Sequence, residues 1–477
     1  MNLNRYVQNP AMFLSLFILM FLALSCATNP VTGKSELMLV SESQELNIGK
    51  DAAPSMKWDF GGHYPDRELE LYLGDIVNRL WANSERSHLP VQFYVQNTSV
   101  PNAFALPGYV AITRGLLSDM ENEAQFAAVM GHEIGHVMAR HTAQRLSQMQ
   151  LQQAGLSIGS IALKGTQGGD ALLAVGSLGS SLLLLKFSRG QEIQSDRLGA
   201  RYMSTLGYDP HEAISAHNVL QQSVDRYLKR LGKSRGQDSF MSSLLSTHPR
   251  HEVRISEIQE MINELPPYTI KGDGKFSNRF MNATSSMRNI NKIYFKYDKA
   301  QSFYQGKQFG KAEKLLSEAI AQNSSQPPFY NLMGMVRLQQ KDNVKAKQSF
   351  QRALDLDPGF QPSVYGMGLV YLFDSQNTKA ISFFEKSIKM YPGHAASHYG
   401  LGRSYYQNKQ YSQAVPYLAN FSKAARKNPE VHGLLGICLE KTGDTRSAVI
   451  SYKNQLIVAP DTELGRHAKK RLSVLAP

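Results

Sequence analysis

Cysteine is almost missing from this chain of 477 residues: Cys26 and Cys438 are the only two. Two cysteines permit one disulfide at most, which excludes a disulfide-stapled scaffold. Long apolar runs are scarce as well. The run from Met12 to Leu24 is too short for a comfortable bilayer span. The stretch 152–186 is rich in Leu, Ile, Ala, Gly and Ser, but Lys164, Gly165, Gly168, Gly169 and Asp170 break it into two pieces, neither able to cross a membrane. Acidic residues are thin in the second half, where residues 266–477 hold thirty Lys and Arg against fourteen Asp and Glu. That part therefore carries +16, and subtracting it from the whole-chain +13 leaves −3 for residues 1–265. No base-reading motif accompanies the positive charge, so nucleic acid is not the expected partner.

What is present begins with Gly131-His132-Glu133-Ile134-Gly135-His136. The spacing predicts a helix over 121–145, with Phe126, Val129, Met130, Ile134, Val137 and Met138 on its apolar face, acids in its first turn and no proline. On a helix, residues i and i+4 share a face, so His132 and His136 can hold one Zn²⁺ together. Glu133 is turned away from the metal and towards a water activated by it. Downstream, Glu192 and Asp196 are again i and i+4. A second helix could present one carboxylate to the metal and the other to the far N–H of a ligating histidine, fixing its tautomer. Two histidines and a glutamate leave one position open, the composition of a catalytic site and not of a closed structural one.

These residues, with Asn102-Ala103-Phe104-Ala105-Leu106-Pro107-Gly108-Tyr109 before them and Ser246-Thr247-His248-Pro249 with Arg254 after them, resemble the HtpX-type zinc metallopeptidases over roughly residues 29–260. The resemblance implies an α+β metallopeptidase domain of the gluzincin type, mostly helical with a small sheet, holding one zinc ion. It also implies that His248 and Arg254 stabilise the oxyanion, and it makes His248 a candidate to fill the open zinc position at rest. Asn102 to Ala105 would be the family's edge strand. Val91 to Val95 and Phe104 to Ile112 read as short strands, and an exposed sheet edge binds extended peptide through its main chain. Ordinary core strands have the same pattern.

The N-terminus, residues 1–25, reads as a signal peptide with an apolar core, and Leu22-Ala23-Leu24-Ser25-Cys26 resembles a bacterial lipoprotein cleavage box in which Cys26 is lipidated. Ala27 follows in place of the aspartate of an inner-membrane retention signal. The expectation is a periplasmic protein anchored to the outer membrane, a soluble periplasmic one being the alternative. Cys438 is then a buried small hydrophobe.

The carboxyl half repeats. Ala312, Ala346, Ala380, Ala414 and Ala448 are thirty-four residues apart, as are Ala300, Gly334, Gly368, Gly402 and Gly436. Leu316, Phe350, Phe384, Leu418 and Tyr452 recur as a bulky position. This is the tetratricopeptide period, and five units suffice for a stacked all-α solenoid. The expected division is a peptidase domain over 26–265, a linker over 266–293 containing Pro266, Pro267, Gly272 and Gly274, and repeats over 294–477. The segment 152–186, between the two ligand helices, is either a mobile lid or a buried helical hairpin.

An exported zinc peptidase carrying such repeats is similar to proteases of envelope quality control. That similarity implies substrates among unfolded, misassembled or stalled envelope proteins, and contact with the outer-membrane assembly machinery through the basic repeats. A solvated basic surface needs no ligand, whereas a positive solenoid near a bilayer suits acidic partners or anionic headgroups. The rival from another class is a chaperone or scaffold lipoprotein acting through its repeats with a plugged zinc site. The intact set His132, Glu133, His136 and Glu192 favours the enzyme.

Overall fold

The computed structural model describes residues 26–162, 185–234 and 253–475. The signal segment, most of the glycine-broken stretch and His248 lie outside them. The described residues form two compact units, one drawn from residues up to Asp51 and from His63 to Ser286, the other from Ala52–Gly62 and from Met287 onward.

The first unit opens with a short antiparallel pair, β1 (Cys26–Thr28) and β2 (Ser35–Leu37). Helices α1 (Glu42–Asp59) and α2 (Arg67–Ala82) precede a three-stranded sheet. Its strands are β3 (Val91–Gln96), β4 (Ala103–Leu106) and β5 (Gly108–Thr113) in the order β3-β5-β4. β5 runs parallel to β3 and antiparallel to β4. The apolar run 104–112 is thus two strands and not one. Gly108 turns between them at φ +86°, a left-handed conformation that costs only glycine nothing. β4 pairs on one side only among the described residues, which makes it an edge.

A short helix, α3 (Arg114–Leu117), leads to α4 (Glu123–Met138) and α5 (His141–Ala162). The Asn122 side chain caps α4 by accepting from the Gln125 backbone N–H at 2.8 Å. In its first turn Glu123 accepts from the Tyr72 hydroxyl at 2.6 Å, and from Tyr208 and Arg279. Phe126, Met130, Ile134 and Met138 are fully buried, as the spacing predicts.

The helix expected over 121–145 is broken, however. Arg140 sits at φ +58° and starts a new axis at His141. Its buried guanidinium donates to Glu45 at 3.1 Å and to the Val40 carbonyl at 2.7 Å. Contacts about a hundred residues away thus override local helix propensity.

The unit is completed by α6 (Arg189–Thr205), α7 (Glu212–Arg230), α8 (Val253–Asn263) and the first turns of α9 (Ser277–Gln305). That last helix occupies much of the expected linker. Phe280, Met287 and Tyr294 recur every seven residues along it and are fully buried, so the polar-looking segment carries an apolar stripe.

The second unit continues with ten helices, α10 (Phe309–Gln322), α11 (Pro327–Gln339), α12 (Asn343–Leu356), α13 (Gln361–Phe373), α14 (Asn377–Met390), α15 (Ala395–Gln407), α16 (Tyr411–Ala424), α17 (Val431–Lys441), α18 (Thr445–Val458) and α19 (Glu463–Leu475). The recurring alanines and bulky residues are fully buried. A Cβ on Gly334 would stand 2.6 Å from the Phe350 ring, and one on Gly436 equally close to Tyr452. Small and bulky positions are therefore partners across each helix pair. Cys438 is a free, buried thiol in this core.

The period also appears in the backbone. Lys307, Lys341, Ser375, Lys409 and Gly443 all have positive φ. After each, the next N–H reaches back to a helix carbonyl, as in Asp342 to Arg337 at 2.9 Å, the closing bond of a Schellman turn. Among the described residues no helix is long and apolar enough to cross a membrane.

Candidate active site

The site is made where α4 crosses α6. A Cβ on Gly131 would stand 2.9 Å from the Gly199 Cα, one on Gly199 would stand 2.8 Å from the His132 nitrogen, and one on Gly135 would meet the Ser195 backbone at 3.1 Å. Side chains there would force the helices apart. Short carboxylates on α6 consequently reach imidazoles on α4. The glycines flanking His132 and His136 are visible in the sequence, but their partner Gly199 is legible only once the crossing is known.

His132 Nε2 lies 3.1 Å from His136 Nε2, and the Glu192 carboxylate lies 3.4 Å from His136 Nε2 and 3.7 Å from His132 Nε2. Tetrahedral zinc with bonds of about 2.0–2.1 Å requires ligand atoms about 3.3 Å apart. The three donors fit that requirement, and they are neutral nitrogen and carboxylate oxygen, the set borderline metal ions accept.

Each histidine is held from behind. His132 Nδ1–H donates to Asp196 Oδ1 at 2.7 Å, leaving Nε2 as the donor atom for metal. Arg254 donates to Asp196 through Nε at 2.9 Å and Nη2 at 2.7 Å, and its Nη1 is 3.0 Å from Glu192. His136 Nδ1 is 2.9 Å from His141 Nδ1, with Phe187 stacked on its ring at 4.1 Å.

Burial would raise the Asp196 carboxyl, but His132 beside it, with His217 and Arg254, holds it well below the usual carboxylate range. Burial takes His136 well below the ordinary imidazole value and His141 down to about 4, so both rings are neutral near pH 7, the state a metal ligand needs. Burial likewise lowers His217, although its hydrogen bond to Asp196 works against that. For Arg254 burial is outweighed by Asp196 and Glu192, which keep it charged.

A pocket opens beside the cluster, lined by Glu133, His132, Asp196, Arg254 and His217 and walled by Leu116, Val129, Leu220 and Ile258. Asn102 and Ala103, at the start of the edge strand, line it too. Phe104 and Ala105 continue that strand, with Phe104 stacked against Tyr109 at 6.3 Å. Glu133 is buried but is not one of the three converging donors. The structure thus gathers His132, Glu133, His136, Glu192, Asp196, Asn102, Ala103 and Arg254. It places Arg254 against two carboxylates, and it adds His141, Gln194 and His217, which no spacing rule singles out.

Residues 68–262 match Peptidase family M48, and residues 297–359 and 374–438 match tetratricopeptide repeats. The Beta-barrel assembly-enhancing protease of Yersinia pestis is 27% identical over 350 residues, covering 68% of this chain and 69% of that one. Its counterpart in Escherichia coli K12 is 28% identical over 262 residues, 53% of this chain and 50% of its own. The Mitochondrial metalloendopeptidase OMA1 of Schizosaccharomyces pombe is 30% identical over 244 residues, 49% of this chain and 66% of its own. With the His132–His136–Glu192 cluster inside the matched region, the chain carries a metallopeptidase domain of peptidase family M48 followed by tetratricopeptide repeats.

Proposed function

We propose that this chain is a zinc-dependent endopeptidase of the bacterial envelope that cuts misfolded or stalled outer-membrane and periplasmic proteins and assists their assembly. The observation that carries the chemistry is the convergence of His132, His136 and Glu192 at tetrahedral spacing beside a pocket lined by both Glu133 and the edge strand. When bound, zinc supplies Lewis acidity that polarises the scissile carbonyl and lowers the pKa of water from about 15.7 towards 7. Glu133 takes the proton from the attacking water and hands it to the leaving amine nitrogen. The main chain at Asn102 to Ala105 aligns an extended polypeptide by strand addition, which favours unfolded substrates over any one sequence. Asp196 keeps the His132 proton on Nδ1, and Arg254 holds Asp196 and Glu192 in place. His248 donates to the oxyanion in this reading and covers the metal at rest.

Names of the two bacterial relatives support the envelope assignment, and basic repeats suit an acidic surface of the assembly machinery. Cys26 is the proposed lipid anchor in the outer membrane. Fatty-acid labelling tests it, and an unlabelled Cys26 would leave a soluble periplasmic protein.

The enzymatic reading is tested by casein and unfolded-barrel degradation with the soluble form beginning at Ala27, zinc content being measured on the same sample. Stoichiometric zinc and cleavage abolished by chelation are expected, with more cleavage in His248→Ala. Bound zinc without cleavage in any form would leave the repeats, as chaperone or scaffold, to carry the function.

A further inference from the structure

The two ligand histidines are backed differently. His132 donates its Nδ1–H to a carboxylate, whereas His136 meets a second imidazole, His141, at 2.9 Å between the two Nδ1 atoms. On an unbroken helix, positions i and i+5 lie about 140° apart around the axis and could not touch in this way. The left-handed turn at Arg140 makes the contact, so the helix break has a result at the metal site.

Two ring nitrogens 2.9 Å apart share one proton. The other nitrogen of His141, Nε2, is 2.9 Å from Gln194 Oε1, an acceptor. His141 Nε2 must therefore carry a hydrogen, which leaves its Nδ1 as a lone pair. That lone pair accepts from His136 Nδ1–H, and the remaining lone pair of His136, on Nε2, points at Glu192 and His132. Ser195 Oγ lies farther from His141 Nδ1, at 3.4 Å, and Phe187 stacks on the His136 ring.

We propose that His141 and Gln194 form a neutral relay that fixes the metal-binding tautomer of His136, with His141 as the positioning residue and Gln194 standing where a carboxylate would otherwise end the chain. The proposal rests on the metallopeptidase reading and deepens its metal site. One ligand histidine is backed by an anion, the other by a neutral imidazole that ends on an amide. The His136 side is therefore the less basic of the two, and it is the side at which zinc affinity can be tuned.

The test is the zinc dissociation constant of the full chain, measured by competition with a chromophoric chelator, beside the unfolding midpoint of the metal-free protein. His141→Leu removes the acceptor and is expected to weaken zinc binding on the order of 10- to 100-fold. His141→Asn sets an amide oxygen near the place of Nδ1 and restores most of the affinity. Gln194→Glu ends the relay on a carboxylate and tightens binding. Wild-type affinity in His141→Leu, or equal loss in His141→Asn and His141→Leu with the metal-free fold intact, would overturn the relay. Should His141→Leu fail to fold, the half-buried Gln194 carries the test: unchanged affinity in Gln194→Glu overturns the proposal. A wild-type chain that binds no zinc would instead remove the metal site itself.

Discussion

Replacing Glu133 by glutamine is expected to lower kcat by on the order of 10² to 10⁴ while leaving zinc stoichiometry unchanged. The change keeps the shape of the side chain and removes only its ability to take a proton. Glu133 lines the pocket beside His132 without belonging to the trio whose donor atoms converge, so metal binding has no need of its charge. Glu192→Gln makes the contrasting case, because it removes an anionic ligand and should lose zinc and activity together. Zinc analysis and single-turnover cleavage of casein on the same preparations separate the two outcomes. A Glu133→Gln protein that lost zinc, or that still cleaved, would take the role of general base away from this residue.

The parts of this site legible in the sequence are those that depend on one helix at a time. The i,i+4 pairs His132/His136 and Glu192/Asp196 survive into the structure because the geometry of a helix imposes them regardless of context. What depends on two segments meeting was not legible. His141 reaches His136 only because Arg140 is drawn to Glu45 and Val40, and Gly199 matters only because it faces Gly131.

The repeats show the same division. Their thirty-four-residue period is plain in alanines and bulky residues. Four of the five left-handed turn positions are nevertheless lysine or serine where propensity alone would put glycine. The expected linker hides a helix for a related reason. Its polar residues face outward from α9, and a stripe of three buried residues seven apart is easily lost among them.

Removing the charge of Arg254 is the second large effect. Arg254→Met keeps most of the buried volume but leaves Asp196 and Glu192 without the cation that touches both, and each carboxylate is almost fully enclosed. Breaking a buried ion pair from one side typically costs about 3–5 kcal/mol, so the metal-free variant should unfold at markedly lower denaturant. Saturating zinc should recover part of the loss, because a cation bound at Glu192 offsets its charge and ligand that binds only the folded form stabilises it.

The pH dependence has a definite sign. In the wild type the Asp196 carboxyl is held below its ordinary value, so its contribution is present above the unfolded carboxyl pKa of about 3.9 and is lost as pH falls through the lower folded value. Without Arg254, burial is less opposed and the folded value moves up, so acidification relieves the variant first. The stability gap between the two proteins should therefore be widest near neutral pH and narrow on acidification, as read by urea unfolding of both metal-free proteins across that range. A gap that stayed constant with pH would mean that Arg254 acts through packing of its stem and not through its charge.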